Sequence, residues 1–309
     1  MKIKKNFLFL LLTGIVLFSC SDHPSKPKTD VIIPPLGNDS GGRTIDGEPD
    51  WSQVADVIVF THVPQNAAEA LDGDSQIWTM DFESGEREFV TQGSRPRWSA
   101  DGTHIAFHRN LTIWLRNMIT GNEKPLTPFR SFFPSWSPDN SWIIFDAEYL
   151  SPNQTASIWK IHPDSTGLMN IAGYGTFASR FPDWSPAGDV IVFERYIQGA
   201  GSEICLMDTS GNLISQLTNN DYPDTHPQFS MDGKKITWVV DQHNNNPANG
   251  IWIMNADGTN KKWLAKGGMP TFSRDGKSII YFSWIDSIKT ETLLMIDIDG
   301  TNNKIVWLP

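Results

Sequence analysis

The side chains in this sequence best suited to chemistry are His62, Arg95, His108, Arg109, Asp146, Glu148, Glu194, Arg195, His226 and His243. Imidazole takes up and releases protons near neutral pH and ligates transition metals. Arginine recognises carboxylates and phosphates through a planar fork of donors. A carboxylate beside either one completes an acid–base pair or a metal site. These residues are far apart in the chain, so only the fold can gather them.

Local spacing alone defines no catalytic set. There is no H-E-x-x-H and no paired Cys/His motif for zinc. His62, His108 and His226, with carboxylates nearby, are the one combination that could converge on a divalent metal. Asp297-Ile298-Asp299-Gly300-Thr301-Asn302 looks like the start of a calcium loop. It lacks the third ligand position before the glycine and the distal glutamate. Asn255 to Asn260 repeats the pattern one unit earlier, so both read as hairpin turns. No G-x-S-x-G elbow occurs. Asn38-Asp39-Ser40-Gly41-Gly42 faintly resembles a serine-protease motif, but no barrel precedes it to supply partners. No glycine-rich phosphate loop follows a strand. No cofactor is expected, and a metal enters only with the alternative function below.

The elements that must position these residues come from a repeat. Trp51-Ser52, Trp98-Ser99, Trp136-Ser137, Trp184-Ser185, Phe229-Ser230 and Phe272-Ser273 open successive copies, spaced about 40–50 residues apart. A proline stands two residues before each aromatic: Pro49, Pro96, Pro134, Pro182, Pro227 and Pro270. Such a period, with several short strands per unit, predicts an all-β, six-bladed β-propeller of four-stranded antiparallel blades. In the second copy the strands read as Arg95–Ser99, His104–Phe107, Ile113–Leu115 and Lys124–Thr127, with a turn at Asp101-Gly102. The turn is degraded in the first copy and varied in the third and fourth. Proline on the innermost strand is tolerable because that strand faces a channel.

Slots that keep the same residue type in every copy serve the scaffold. The motif aromatics and Phe60, Phe107, Phe145, Phe193, Trp238 and Phe282 are expected in the core between blades. Third-strand tryptophans (Trp78, Trp114, Trp159, Trp252) follow the same logic, so thirteen tryptophans do not by themselves argue for sugar binding. Variable slots are free for function. The residues entering the first strand are Glu48, Arg95, Phe133, Phe181, His226 and Met269. Those leaving the second strand include His62, His108, Arg109, Asp146, Glu148, Glu194, Arg195, Asp241, His243 and Trp284. Both sets belong on one face of the disc, which is either a solvated loop face or a pocket of convergent polar groups. Asp50, Arg97, Ser135, Asp183, Gln228 and Thr271 should line the channel below it.

The P-x-W-S-x-D-G pattern, the apolar strand that follows and the I-W-x-M third strand resemble the TolB-like (WD40-like) propeller repeat family, over residues 46–309. The resemblance implies a propeller fold and says little about activity. The family includes periplasmic scaffold proteins, non-catalytic propellers of prolyl-oligopeptidase-type peptidases, and an oligogalacturonate lyase whose metal sits in a histidine-containing site on such a face. Neither an N-terminal α/β domain nor a hydrolase domain is expected in this sequence.

The N-terminus reads as an address. Lys2, Lys4 and Lys5 precede an apolar stretch from Phe7 to Phe18, too short to span a bilayer. It runs into Leu17-Phe18-Ser19-Cys20, which resembles a bacterial lipobox, with residues 1–19 as signal peptide and Cys20 as the lipidated residue. Ser21 points to the outer membrane. Residues 20–45, polar and punctuated by Pro and Gly, read as lipidated anchor and flexible tether. The only membrane contact expected is through that lipid. The formal charge of −10 disfavours nucleic acid, since its binding rests on phosphate neutralisation. Cys205 is the one other cysteine and reads as a core thiol. The expectation is a monomeric, lipid-anchored envelope propeller that binds a protein, peptide or glycan through one face without catalysis. The alternative is a metal-assisted polysaccharide lyase of the oligogalacturonate type on the same face.

Overall fold

The S-x-D-G turn shows why the repeat folds as it does. In the second copy Ser99 Oγ donates to Asp101 Oδ1 at 2.6 Å and accepts the His104 backbone N–H at 2.9 Å. Gly102 takes φ +69° between them, a left-handed turn that suits glycine. The same serine–aspartate latch closes Ser137–Asp139, Ser230–Asp232 and Ser273–Asp275. In the fourth copy Asp189, two positions later in the turn, meets Ser185 at 2.8 Å. In the third copy Asn140, φ +58°, stands where the second, fourth, fifth and sixth have glycine. Each latch joins a first strand to a second and so starts a blade.

The computed structural model describes residues 45–64, 75–148, 156–173, 178–199, 201–240, 248–286 and 290–306. Cys20, the tether as far as residue 44, Asp241 and His243 lie outside the described residues. The described chain is all-β: six blades of four antiparallel strands, with no helix among the described residues. Blade 2 is typical, running Ser94–Trp98, His104–Arg109, Thr112–Asn117 and Glu123–Pro125 from axis to rim. Both faces of each blade are buried against neighbours, which is why second strands such as Val57–Val63 read as apolar runs without alternation. In blade 2, Ile105 and Phe107 pack toward blade 1 while Ala106 packs toward blade 3.

Six hydrophobic clusters fill the spaces between blades, one for each adjacent pair. The sixth joins Trp51, Ile58 and Phe60 of blade 1 to Ile280 and Leu293 of blade 6, so the ring is closed. A single parallel bridge, Ile45 to Glu291, ties the first inner strand to the last blade. Phe60, Phe107, Phe145, Phe193 and Trp238 are buried as expected. Phe282 is not the sixth member. Tyr281, 1% exposed, fills that slot, because the register from Phe272 places it, and not its neighbour, on the inward-facing side.

Every inner strand is broken by a β-bulge at its X-Pro step. The residue before the proline is left-handed in all six: Glu48, Arg95, Phe133, Phe181, His226 and Met269 have φ between 45° and 54°. Residues before proline favour extended backbone, so this conformation is imposed by the fold. The bulge also removes the need for the donor that proline lacks.

Candidate functional site

The six left-handed residues form a collar around the propeller axis. With the six prolines, Arg97, Asp183 and Gln228, they line a small cavity of about 40 Å³ that opens to solvent. Their backbones are held by side chains of the preceding blade. Arg95 N donates to Glu48 Oε2 (2.9 Å) and Thr61 Oγ1 (3.0 Å), and Phe181 N donates to Asp146 Oδ1 (3.3 Å).

The collar has two halves. On one side Phe133 and Phe181 meet edge to face at 4.3 Å, and the His226 ring stacks on Phe181 at 3.7 Å. On the other, the Arg95 guanidinium lies over Phe133 (4.5 Å to the ring centre), with its Nε 3.2 Å from Glu48. Burial, then the charges of Arg95 and Arg97, pull the His226 pKa down to about 3, so its ring is neutral. His226 Nε2 is buried and makes no hydrogen bond among the described residues, as is true of Gln228 Oε1 and Thr271 Oγ1.

Below the collar the channel narrows to a polar waist. Asp50 Oδ2 accepts the Trp98 backbone N–H at 2.8 Å, and Asp183 Oδ2 accepts that of Phe229 at 2.9 Å. Ser135 Oγ donates to Asp183 and accepts the Trp184 N–H. Residues between the proline and the aromatic thus brace one blade to the next as well as lining the channel. Arg97 Nη1 meets Asp50 at 3.3 Å. Burial raises both acids, Asp183 to about 6. Beyond the waist a second small cavity, about 60 Å³, opens among Gln53, Ser185 and Met231 on the face of the S-x-D turns.

Of the residues singled out from sequence, Arg95 and His226 line the cavity. Asp146 stands behind it. Burial lifts its pKa to about 7, and Arg180, Glu194 and Arg95 all act on it. Glu148 pairs with Arg180 at 3.1 Å, and Glu194 accepts the Ser202 hydroxyl at 2.7 Å. The others are placed elsewhere. His62 Nδ1 is 2.6 Å from the buried Asp46, with Trp78 at its ring edge. His108 is fully buried, near Ser94 Oγ and against Phe132. Arg109 bridges Glu123, Thr91 and the Gln92 carbonyl and lies over Phe107 and Trp114, so it braces blade 2 and is not a free surface group. Arg195 is partly buried opposite Ser179 and Glu203. His62, His108 and His226 therefore do not converge. Among the described residues no group of three or more His, Cys, Asp or Glu could hold a metal ion. The wall around His226 carries two guanidinium groups, a poor setting for a cation.

Glu48, Phe133, Phe181 and Met269, expected on this face as strand-entry residues, and Arg97, Asp183 and Gln228, expected in the channel, complete the cavity. The signal that finds the collar is positional: it is the residue before the motif proline.

No family model matches the sequence, and no curated protein matches it. Solved structures match its fold. TolB from Acinetobacter baumannii superposes with a TM-score of 0.64 at 19% identity, over 85% of this chain and 62% of that one. This chain thus spans less than two thirds of that TolB. A putative TolB from Agrobacterium tumefaciens gives 0.54 at 18%, covering 85% and 80%. An oligogalacturonate lyase in complex with manganese gives 0.55 at 13%, covering 82% and 90%. At these identities the likeness is one of fold: the chain is a six-bladed propeller similar to that of TolB.

Proposed function

We propose that this protein is a non-catalytic binding module of the bacterial cell envelope, anchored through a lipid on Cys20, that holds a protein, peptide or glycan partner at the axial cavity. The observation that carries the reading is the collar. Six side chains of unlike chemistry share one strained backbone geometry and point to one axis. Strain of this kind, of order 1–3 kcal/mol per residue, persists where the surroundings over-determine it and is concentrated at functional sites. Similarity to TolB propellers supports an envelope setting. Similarity to a manganese-bound lyase would favour the enzymatic alternative, but the cavity residues do not fit a divalent ion, and no lyase step is derived.

The test is a photo-crosslinking residue placed in cells either at Met269, in the collar, or at Val54, 48% exposed beside the turns of the opposite face. Adducts at Met269 and none at Val54 are expected; the reverse pattern, or adducts at neither, refutes the reading. The anchor is tested separately. Cys20→Ala should abolish incorporation of labelled lipid, and unchanged labelling would remove it.

A further inference from the structure

The cavity's two arginines are only partly used by the protein. Arg95 and Arg97 lie two positions apart on one inner strand and both face the cavity. Arg95 meets Glu48 through Nε alone, at 3.2 Å, and its plane is held against Phe133. Arg97 makes only two long contacts through Nη1, to Pro49 O at 3.4 Å and Asp50 at 3.3 Å. The nearby acids are occupied. Glu48 accepts from Thr61 and from Arg95 N, and Asp183 accepts from Ser135 and Phe229 N. Guanidinium edges left open in a half-buried cavity suit a planar, bidentate anion, and a carboxylate is the commonest.

The remaining open atoms ask for a donor. In the tautomer that carries its proton on Nδ1, His226 donates to Thr225 Oγ1 at 3.0 Å while Thr225 Oγ1 donates to the Val239 carbonyl at 3.4 Å. His226 Nε2 is then a bare acceptor. Gln228 Oε1 is a second, its amide nitrogen turned to Asp50. Phe133, Phe181 and Met269 add an apolar wall. The ligand must therefore combine a carboxylate, an adjacent N–H and an apolar body. Inorganic phosphate supplies the charge and an O–H donor but no apolar surface. A neutral sugar supplies donors and no charge.

Resting on the reading of the cavity as a binding site, we infer that it takes the free C-terminal residue of a peptide or protein ending in an apolar side chain. The terminal carboxylate lies on Arg95 and Arg97, the last amide N–H on His226 Nε2 or Gln228 Oε1, and the side chain on Phe133, Phe181 and Met269.

Acetyl-Ala-Ala-Phe with a free carboxylate, its carboxamide, and 3-phenylpropionate would each be titrated into the purified full chain by calorimetry. The free acid should bind at least tenfold more tightly than the carboxamide, which lacks the charge, and than phenylpropionate, which lacks the N–H. Arg95→Met keeps the contact with Phe133 and should erase the preference for acid over amide while the melting temperature holds. Equal binding of acid and amide to the parent overturns the C-terminal assignment but leaves the cavity as a binding site. Equal binding of phenylpropionate overturns the peptide source. Binding of none of the three overturns the inference, and the crosslinking experiment then decides the broader reading alone.

Discussion

Replacing Asp146 by asparagine should change how stability depends on pH, by an amount the structure allows one to work out. Asp146 is 2% exposed. Burial, with Glu194 adding to it, lifts its pKa from 3.8 to about 7 against the pull of the Phe181 N–H, Arg180 and Arg95. Between those values the folded protein holds a proton here that the unfolded chain has lost. Stability contributed by the site is therefore present at low pH and lost as pH rises toward 7. At about 1.36 kcal/mol per pKa unit, the part lost between pH 5 and 7 is about 2–3 kcal/mol. His226 acts in the opposite sense. Its pKa is depressed to about 3, so the cost of keeping it neutral in the fold disappears as pH climbs to about 6.5. Asp183 and Asp224, each raised to about 6 mainly by burial, add losses of their own below that pH. These contributions overlap in the parent but cancel in the difference between parent and variant. Asparagine keeps an acceptor for the Phe181 N–H and has no proton to lose. Urea unfolding followed by tryptophan fluorescence at pH 5, 6, 7 and 8 should show Asp146→Asn gaining about 2–3 kcal/mol on the parent across the series. Parallel profiles for the two proteins would refute the buried-carboxyl argument.

Gly211→Ala should cost about 1–3 kcal/mol, because a Cβ there would lie 1.7 Å from the Ile171 carbonyl oxygen at a φ of +94°. A melting temperature unchanged from the parent's would show that the blade 4 hairpin does not rest on blade 3. Trp136→Ala and Trp184→Ala, each removing an indole that is 8% exposed between blades, should each cost about 3–5 kcal/mol in chemical denaturation. Melting within a degree or two of the parent would contradict the closed ring. Cys205 is 1% exposed and burial pushes its thiol up to about 11, so a disulfide reagent should label it only as the protein unfolds. Prompt labelling in native buffer would place it at the surface.

Much of the scaffold could be read from residues alone, because the S-x-D latch is local: serine, turn and aspartate lie within a few positions of one another. The count and pitch of blades follow from it. Errors arise where a one-residue offset matters. Phe282 looked like the core aromatic of the last blade, yet Tyr281 is at the buried register. His108 and Arg109 are adjacent on one strand, so they point to opposite faces, and Arg109 ends on the flank of its blade. Which variable slots face the axis depends on the left-handed bulge before each proline. That geometry runs against the preference of residues before proline and has no signature in a single copy. It becomes visible only when Glu48, Arg95, Phe133, Phe181, His226 and Met269 are compared as a set. The waist was half legible: Asp50 and Asp183 were placed in the channel, but their capture of N–H groups from the next blade depends on distances that only the closed ring creates.

The collar also bears on how such a protein can diversify. Each blade contributes one side chain to the axis through the same bulge. The N–H of Phe181 is held by Asp146, which is not displayed, whereas that of Arg95 is shared between Thr61 and the displayed Glu48. Where support comes from positions that are not displayed, as at Phe181, the slot behaves as an interchangeable digit of a combination, rewritable without re-engineering the blade beneath it. Two propellers with the same latches and cores can then recognise unrelated partners while their overall similarity records only the shared chassis. Within this architecture the residue before each motif proline should vary fastest among descendants that have changed partner, and slowest among those that have kept it.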